Sequence, residues 1–154
     1  SCPVSQVRNC SRARGASDKV RRAMTRCVSG PFDIKRTAEP PLDSEGVVLG
    51  RSRFDKTFHG PLAATSVVHM ISALTPVQGS AGYVAVEKIT GALEGRAGSF
   101  VVMHTGVMDR GAQSLTISIV PDSGTGELVG IAGEMAIEIE GGAHFYRLAY
   151  TLPA

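Results

Sequence analysis

Tryptophan is absent from this chain, and only 5% of its residues are aromatic. Cysteine is confined to the first 27 residues, at Cys2, Cys10 and Cys27. An odd number of cysteines without zinc-type spacing argues against a metal site and against a disulfide framework. No apolar run approaches the ~18 residues that a membrane-spanning helix needs. The apolar region of a signal peptide is also missing, so we expect a cytoplasmic protein with no membrane partner.

Net charge is small, at +2, but it is unevenly distributed. Residues 1–30 carry seven basic side chains against Asp18 alone, whereas the remaining residues carry nine basic and thirteen acidic side chains. A transit peptide and a nucleic-acid-binding arm share this basic composition. The segment has no aromatic residue to stack on bases, so no nucleic-acid partner is expected. We expect residues 1–23 to be a basic, disordered leader and residues 24–154 to form one domain.

From Pro31 onward the sequence predicts short antiparallel strands. The segments 91–98 and 126–133 both read G-x-L-x-G-x-x-G and are expected to reverse the chain between strands, as is the Gly141-Gly142 pair. The predicted strands are Phe32–Thr37, Val47–Phe58, Leu62–Ala73, Tyr83–Thr90, Ser99–Thr105, Leu115–Val120, Met135–Glu140 and His144–Leu152, although 67–74 also suits a helix. About eight strands joined by hairpins predict an all-β fold, either a closed barrel or a sandwich.

Alternation along the strands places two ionisable side chains on apolar faces. Glu87 shares its face with Tyr83 and Ile89, and His104 shares its face with Phe100 in the next strand. A carboxylate–imidazole pair in an apolar cavity suits proton transfer near neutral pH. We therefore predict Glu87 and His104 as catalytic residues. The alternative is a buried hydrogen-bonded pair that only fixes the strand register.

Further side chains are candidates for contact with a ligand. The arginine of the first glycine turn could pair with a ligand carboxylate or with a neighbouring glutamate. The histidine that closes the second predicted strand could serve a ligand or only the turn backbone. Aromatic residues of strands line either a cavity or a packed core. The predicted ligand-binding residues are Tyr83, Arg96, Phe100, Tyr146 and His59.

Four segments carry a resemblance to a known family. They are KTFHG at 56–60, GYVAVE at 82–87, GRAGSFVVMHTG at 95–106 and VPDSGTGEL at 120–128. In these segments the chain resembles DUF3224, a bacterial domain-of-unknown-function family whose members look like allene oxide cyclase-type β-barrels. The resemblance covers most of residues 24–152 and implies an antiparallel closed β-barrel. It brings no established activity with it.

Two functions suit a barrel with isolated polar groups on apolar faces. One is binding of a small apolar ligand in the lumen, with cofactor-independent isomerase or cyclase activity on it. The other is a non-enzymatic structural or interaction module that assembles through its outer face, because several strands are apolar on both faces. That two-sided character also predicts a homo-oligomer. No cofactor and no metal are expected, since the four histidines have neither H-x-H nor H-x-x-x-H spacing.

Overall fold

The computed structural model describes residues 24–154, which form a closed barrel of eight antiparallel strands. The strands are β1 (Arg26–Asp43), β2 (Val48–Phe58), β3 (Leu62–Leu74), β4 (Ala81–Leu93), β5 (Arg96–Asp109), β6 (Ala112–Ile119), β7 (Ala132–Glu140) and β8 (Ala143–Thr151), with a 3-10 helix at Gly126–Leu128. Each strand pairs with the next along the chain, and β1 pairs with β8 to close the barrel. The predicted closed barrel is confirmed. Its likeness to allene oxide cyclase stays a prediction.

The first strand is longer than the predicted Phe32–Thr37. It continues through the proline pair 40–41 to Asp43. The register between β1 and β2 shifts between Glu39 and Asp43, so the prolines lie where the ladder is interrupted. Proline cannot donate to a regular ladder, but an irregular position tolerates it. Segment 67–74, which also suits a helix, belongs to β3.

The two glycine-rich repeats fold differently. In the first, Glu94 and Gly95 have φ angles of 47° and 82° and form a two-residue hairpin between β4 and β5. Two consecutive turn residues with positive φ angles match the right-handed twist of the flanking strands. The second repeat contains the 3-10 helix, and a Cβ at Gly126 would lie 2.8 Å from the carbonyl oxygen of Ala97 on β5. The second repeat thus belongs to a longer segment that reverses the chain between β6 and β7, as predicted, and that packs against the barrel through the buried Leu128.

One seam of the barrel is weakly paired. The ladder between β6 and β7 consists of two pairs, Ile117 with Met135 and Ser118 with Glu134. In contrast, β4 pairs with β5 along its whole length. The segment that joins β6 to β7 runs beside the start of β5 instead. There the backbone N–H of Thr125 donates to the carbonyl oxygen of Ser99 at 2.8 Å. The joining segment thus completes the wall where β6 ends.

The two ends of the barrel are filled differently. We call the end with the β2–β3 and β4–β5 hairpins the closed end, because large inward side chains there are at most 2% exposed. They are Phe58, Leu62, Leu93, Phe100, Leu128, Ile131, Tyr146 and Tyr150. We call the opposite end the open end, because several of its large inward side chains retain contact with solvent. Those of intermediate burial are Phe54, Met70, Tyr83, Leu115 and Ile137, and Arg36 is exposed.

Cys27 lies on β1. Cys2, Cys10 and the rest of the predicted leader, residues 1–23, lie outside the described residues. Within residues 24–154, no helix has the length and apolar character needed to cross a membrane.

Candidate functional site

Glu87, on β4, has none of its surface exposed to solvent. Its carboxylate contacts three side chains. Oε1 accepts a hydrogen bond from Nζ of Lys56 at 3.2 Å and lies 2.8 Å from Nε2 of His104. Oε2 accepts a hydrogen bond from the Ser66 hydroxyl at 2.5 Å. We call Lys56, Ser66, Glu87 and His104 the polar cluster.

The barrel topology brings the polar cluster together from four neighbouring strands. Lys56 lies on β2, Ser66 on β3, Glu87 on β4 and His104 on β5. Lys56 and Ser66 are directly opposite each other in the β2–β3 ladder. Because side chains alternate across a strand, all four occupy inward positions. The three partners of Glu87 are each at most 6% exposed.

The partners of Glu87 stabilise its ionised form. Burial alone raises the pKa of Glu87, but the hydrogen bond from His104, the charge of Lys56 and the hydroxyl of Ser66 together lower the pKa below its ordinary value. The carboxyl group is therefore ionised near neutral pH. An ionised carboxylate can only accept hydrogen bonds, so Nε2 of His104 carries the hydrogen that lies between them.

Lys56 lies among aromatic rings as well as beside its carboxylate partner. Its Nζ is 5.0 Å from the ring centroid of Phe32 and 5.8 Å from that of Phe58. Cation–π attraction therefore adds to the ion pair with Glu87. Every buried polar side-chain atom of residues 24–154 has a hydrogen-bond partner, and no group of three metal-ligating side chains lies among those residues.

The polar cluster forms the boundary between the two ends of the barrel. On β2, Lys56 lies between the buried Phe58 of the closed end and the partly exposed Phe54 of the open end. On β4, the inward positions run from Tyr83, which faces the open end, through Ala85 to Glu87. The polar cluster therefore lies where the packed side chains of the closed end meet the partly exposed side chains of the open end.

Both the sequence and the fold of this chain match known proteins. The family model described as "Protein of unknown function (DUF3224)" matches residues 28–150. The chain belongs to the DUF3224 family. A crystal structure of a DUF3224 protein of unknown function from Shewanella oneidensis MR-1 is 47% identical to it, with a TM-score of 0.80, and the match covers 85% of this chain and 100% of that one. No curated protein matches the chain.

The predicted catalytic pair of this DUF3224 protein is in direct contact. Glu87 and His104 lie on adjacent strands, face the same side of the sheet and are joined by the 2.8 Å hydrogen bond. Tyr83 is the predicted ligand-binding residue that faces the open end above them. A catalytic role for the pair stays a prediction.

The other predicted ligand-binding residues lie toward the closed end. Phe100 is packed in the core, and the Tyr146 hydroxyl donates to the carbonyl oxygen of His59 at 2.7 Å and accepts from the N–H of Leu62 at 3.0 Å. Arg96 is the first residue of β5 and not a turn residue. The exposed His59 ring places Nε2 2.8 Å from a carboxylate oxygen of Asp33. The barrel does not bring these four residues together with Glu87, and their ligand-binding role stays a prediction.

Lys56 and Ser66 are members of the site that the sequence-based prediction omits. A signal for Lys56 is present, since alternation puts this lysine on the same face as Phe54 and Phe58. A charged residue on such a face is as unusual as Glu87 between Tyr83 and Ile89. Ser66 carries no comparable signal, because a small hydroxyl residue suits either face of a strand.

Proposed function

We propose that this protein binds a small apolar molecule in the open end of its barrel and that His104 and Glu87 move a proton on it. The observation that carries the proposal is a fully buried carboxylate, bonded to three buried polar side chains, next to inward apolar side chains that are partly exposed. A contribution to stability alone does not explain such a group well, because packed apolar side chains can often replace a buried ion pair without loss of stability. Ionisable groups with shifted pKa values in a cleft are typical of functional sites.

His104 is the member of the polar cluster that can take and return a proton. Because Nε2 donates to Glu87, Nδ1 is the ring nitrogen that is left to accept a proton from the ligand. Glu87 stabilises the imidazolium that forms, while Lys56 helps to keep the carboxylate ionised. The imidazolium then returns the proton to another atom of the ligand. The ligand is isomerised without an oxidant, a reductant or a cofactor.

The open end supplies the surface that would hold the ligand. Its inward side chains are mostly apolar and partly exposed, so a bound molecule could cover them. Holding a flexible molecule in one conformation lowers the entropy cost of an isomerisation or cyclisation. This contribution requires no cofactor either.

The experiment is proton exchange on a small ketone. Cyclohexanone in D2O should gain deuterium at its α-carbons faster with the protein than in buffer, as followed by NMR. His104→Gln keeps a donor toward Glu87 but removes the base, so exchange should fall to the buffer rate. His69→Gln is the matched control, since His69 is exposed on the outer face of β3. Equal exchange in the wild type and His104→Gln would overturn the proton-transfer role.

A second candidate function is assembly through the outer barrel face. Five outward apolar side chains of β3, β4 and β5 are between 46% and 55% exposed: Ile71, Val84, Val86, Met103 and Val107. Ladder pairs join Ile71 to Val84 and Val86 to Met103, so these side chains form one patch, which we call the outer patch. Large contiguous apolar patches on soluble proteins mark interaction sites.

Assembly can be tested at the centre of the outer patch. Val86→Glu should turn an oligomer into a monomer in light scattering at micromolar concentration, because a carboxylate is costly to bury in an interface. Thr116→Glu, at an exposed outward position of β6, is the control. A wild-type protein that is already a monodisperse monomer would contradict assembly. That result would leave the proton-transfer proposal intact, because the outer patch and the lumen lie on opposite faces of the sheet.

A further inference from the structure

A positive charge lies at the rim of the open end. Arg36 occupies an inward position of β1, opposite Phe54 and four residues beyond the buried Phe32. Its guanidinium donates two hydrogen bonds to the Ser52 hydroxyl oxygen, of 3.3 Å from Nε and 3.1 Å from Nη2. Ser52 is only 4% exposed. These bonds hold the exposed guanidinium against the inner wall of the barrel.

The charge of Arg36 has no carboxylate partner on the inner face. Within residues 24–154, the acidic side chains other than Glu87 lie at outward strand positions or between strands. Glu87 is paired with Lys56, and the ion pairs of these residues do not include Arg36. The inner face of the open end is therefore positive. A guanidinium has five N–H donors in a planar fork that matches a carboxylate.

Arg36 and the polar cluster face one lumen from different strands. Ladder pairs lead from Arg36 through Phe54 and Val68 to Glu87, three strands away. Three strand spacings correspond to roughly 14 Å along the barrel wall. A ligand in the opening can therefore contact Arg36 at one end while its other end approaches His104.

We propose that Arg36, held by Ser52, binds the carboxylate of an apolar carboxylic acid in the open end. This inference rests on the proposed function and gives the chemical class of its ligand. The apolar body of the acid covers the partly exposed side chains Phe54, Met70 and Leu115, and burial of that surface supplies affinity. The charge-assisted hydrogen bonds of Arg36 fix the orientation, with the carboxylate at the rim.

Octanoate and 1-octanol test the inference, because they share an apolar body and differ in charge. In calorimetric titrations of the full chain near neutral pH, octanoate should bind more tightly than 1-octanol. Arg36→Gln should weaken octanoate binding about tenfold or more and leave 1-octanol binding unchanged. Arg53→Gln is the matched control, since Arg53 is exposed at an outward position of β2 and should leave both affinities unchanged.

The outcomes separate the two proposals. If neither compound binds the wild-type protein, the proposed ligand-binding function fails, and the ligand class fails with it. If both bind and Arg36→Gln leaves octanoate binding as it was, the role of Arg36 is overturned while the proposed function stands. An equal loss in Arg53→Gln would also overturn the role of Arg36, because general surface charge would then set the affinity.

Discussion

The closed end and the open end of this barrel are built from the same eight strands, but their inward side chains differ in packing and exposure. At the closed end, large side chains fill the interior, and the hydroxyl groups of two tyrosines bind the adjoining turns. Tyr146 bonds to the backbone of His59 and Leu62, and Tyr150 donates to the carboxylate of Glu94. At the open end, several large inward side chains are partly exposed, and the inward Arg36 is an exposed cation.

This difference separates the part of the barrel that stabilises the fold from the part that can accept a ligand. A fully buried large apolar side chain contributes about 1.5–3 kcal/mol to folding, and a half-exposed one contributes less. Changes at the open end are therefore tolerated better than changes at the closed end. The polar cluster lies between the two, so its residues affect both stability and the proposed chemistry.

The largest expected effect compares two phenylalanines of one strand. Phe58→Ala should lower the free energy of unfolding by about 3–5 kcal/mol, because it leaves a cavity in the packed core. Phe54→Ala, at the open end of the same strand, should cost about half as much or less, because water already reaches that side chain. Urea unfolding measures both changes. Equal losses would remove the distinction between the two ends.

Removal of the cation beside Glu87 should have the next largest effect. Lys56→Met leaves the carboxylate buried without its ion pair and should cost about 3 kcal/mol. Lys88→Met is the control at an exposed outward position of β4 and should change little. The double variant Lys56→Met/Glu87→Leu should recover much of the loss, because it removes both charges. A neutral effect of Lys56→Met alone would show that Lys56 does not hold Glu87 ionised.

The sequence predicts the strands and the Glu87–His104 contact because both depend on a local pattern. Alternation with a period of two assigns each side chain to a face, and hairpin connections make β4 and β5 neighbours. The same pattern places Arg36 on the face of Phe32. Its environment could not be foreseen, however, because the hydrogen bond to Ser52 depends on the register of another strand.

Other features depend on packing that no local pattern contains. The repeats at 91–98 and 126–133 have the same glycine spacing, but the second is held against β5 by the burial of Leu128. The proline pair 40–41 continues β1 because the ladder is irregular there. The difference between the two ends was likewise not predictable, since alternation assigns a face but not a depth along the barrel axis.

A hydroxyl group at the closed end provides a third, smaller comparison. Tyr146→Phe leaves the N–H of Leu62 and the carbonyl of His59 without their partner, and it should cost about 1–3 kcal/mol. Thr105→Val, at an exposed outward position of β5, should stay within about 0.5 kcal/mol, because water can reach that hydroxyl group. Thermal unfolding of the two variants measures the difference. Equal losses would show that the Tyr146 hydroxyl does not stabilise the closed end.

The smallest expected effect is the acid dependence that the polar cluster adds to stability. The pKa of Glu87 is lower in the folded chain than its ordinary value of 4.5. The unfolded chain therefore binds the proton first as the pH falls, and the contribution of Glu87, fully present above pH 4.5, is lost as the pH falls through the folded-state pKa. One such group changes the free energy of unfolding by at most about 1.4 kcal/mol per pH unit.

The Lys56→Met/Glu87→Leu variant should show a shallower acid slope than the wild type, whereas Glu140→Gln, at an exposed position, should keep the wild-type slope. Identical slopes in the wild type and the double variant would mean that Glu87 has the same proton affinity folded and unfolded, and the polar cluster would then not hold its charge.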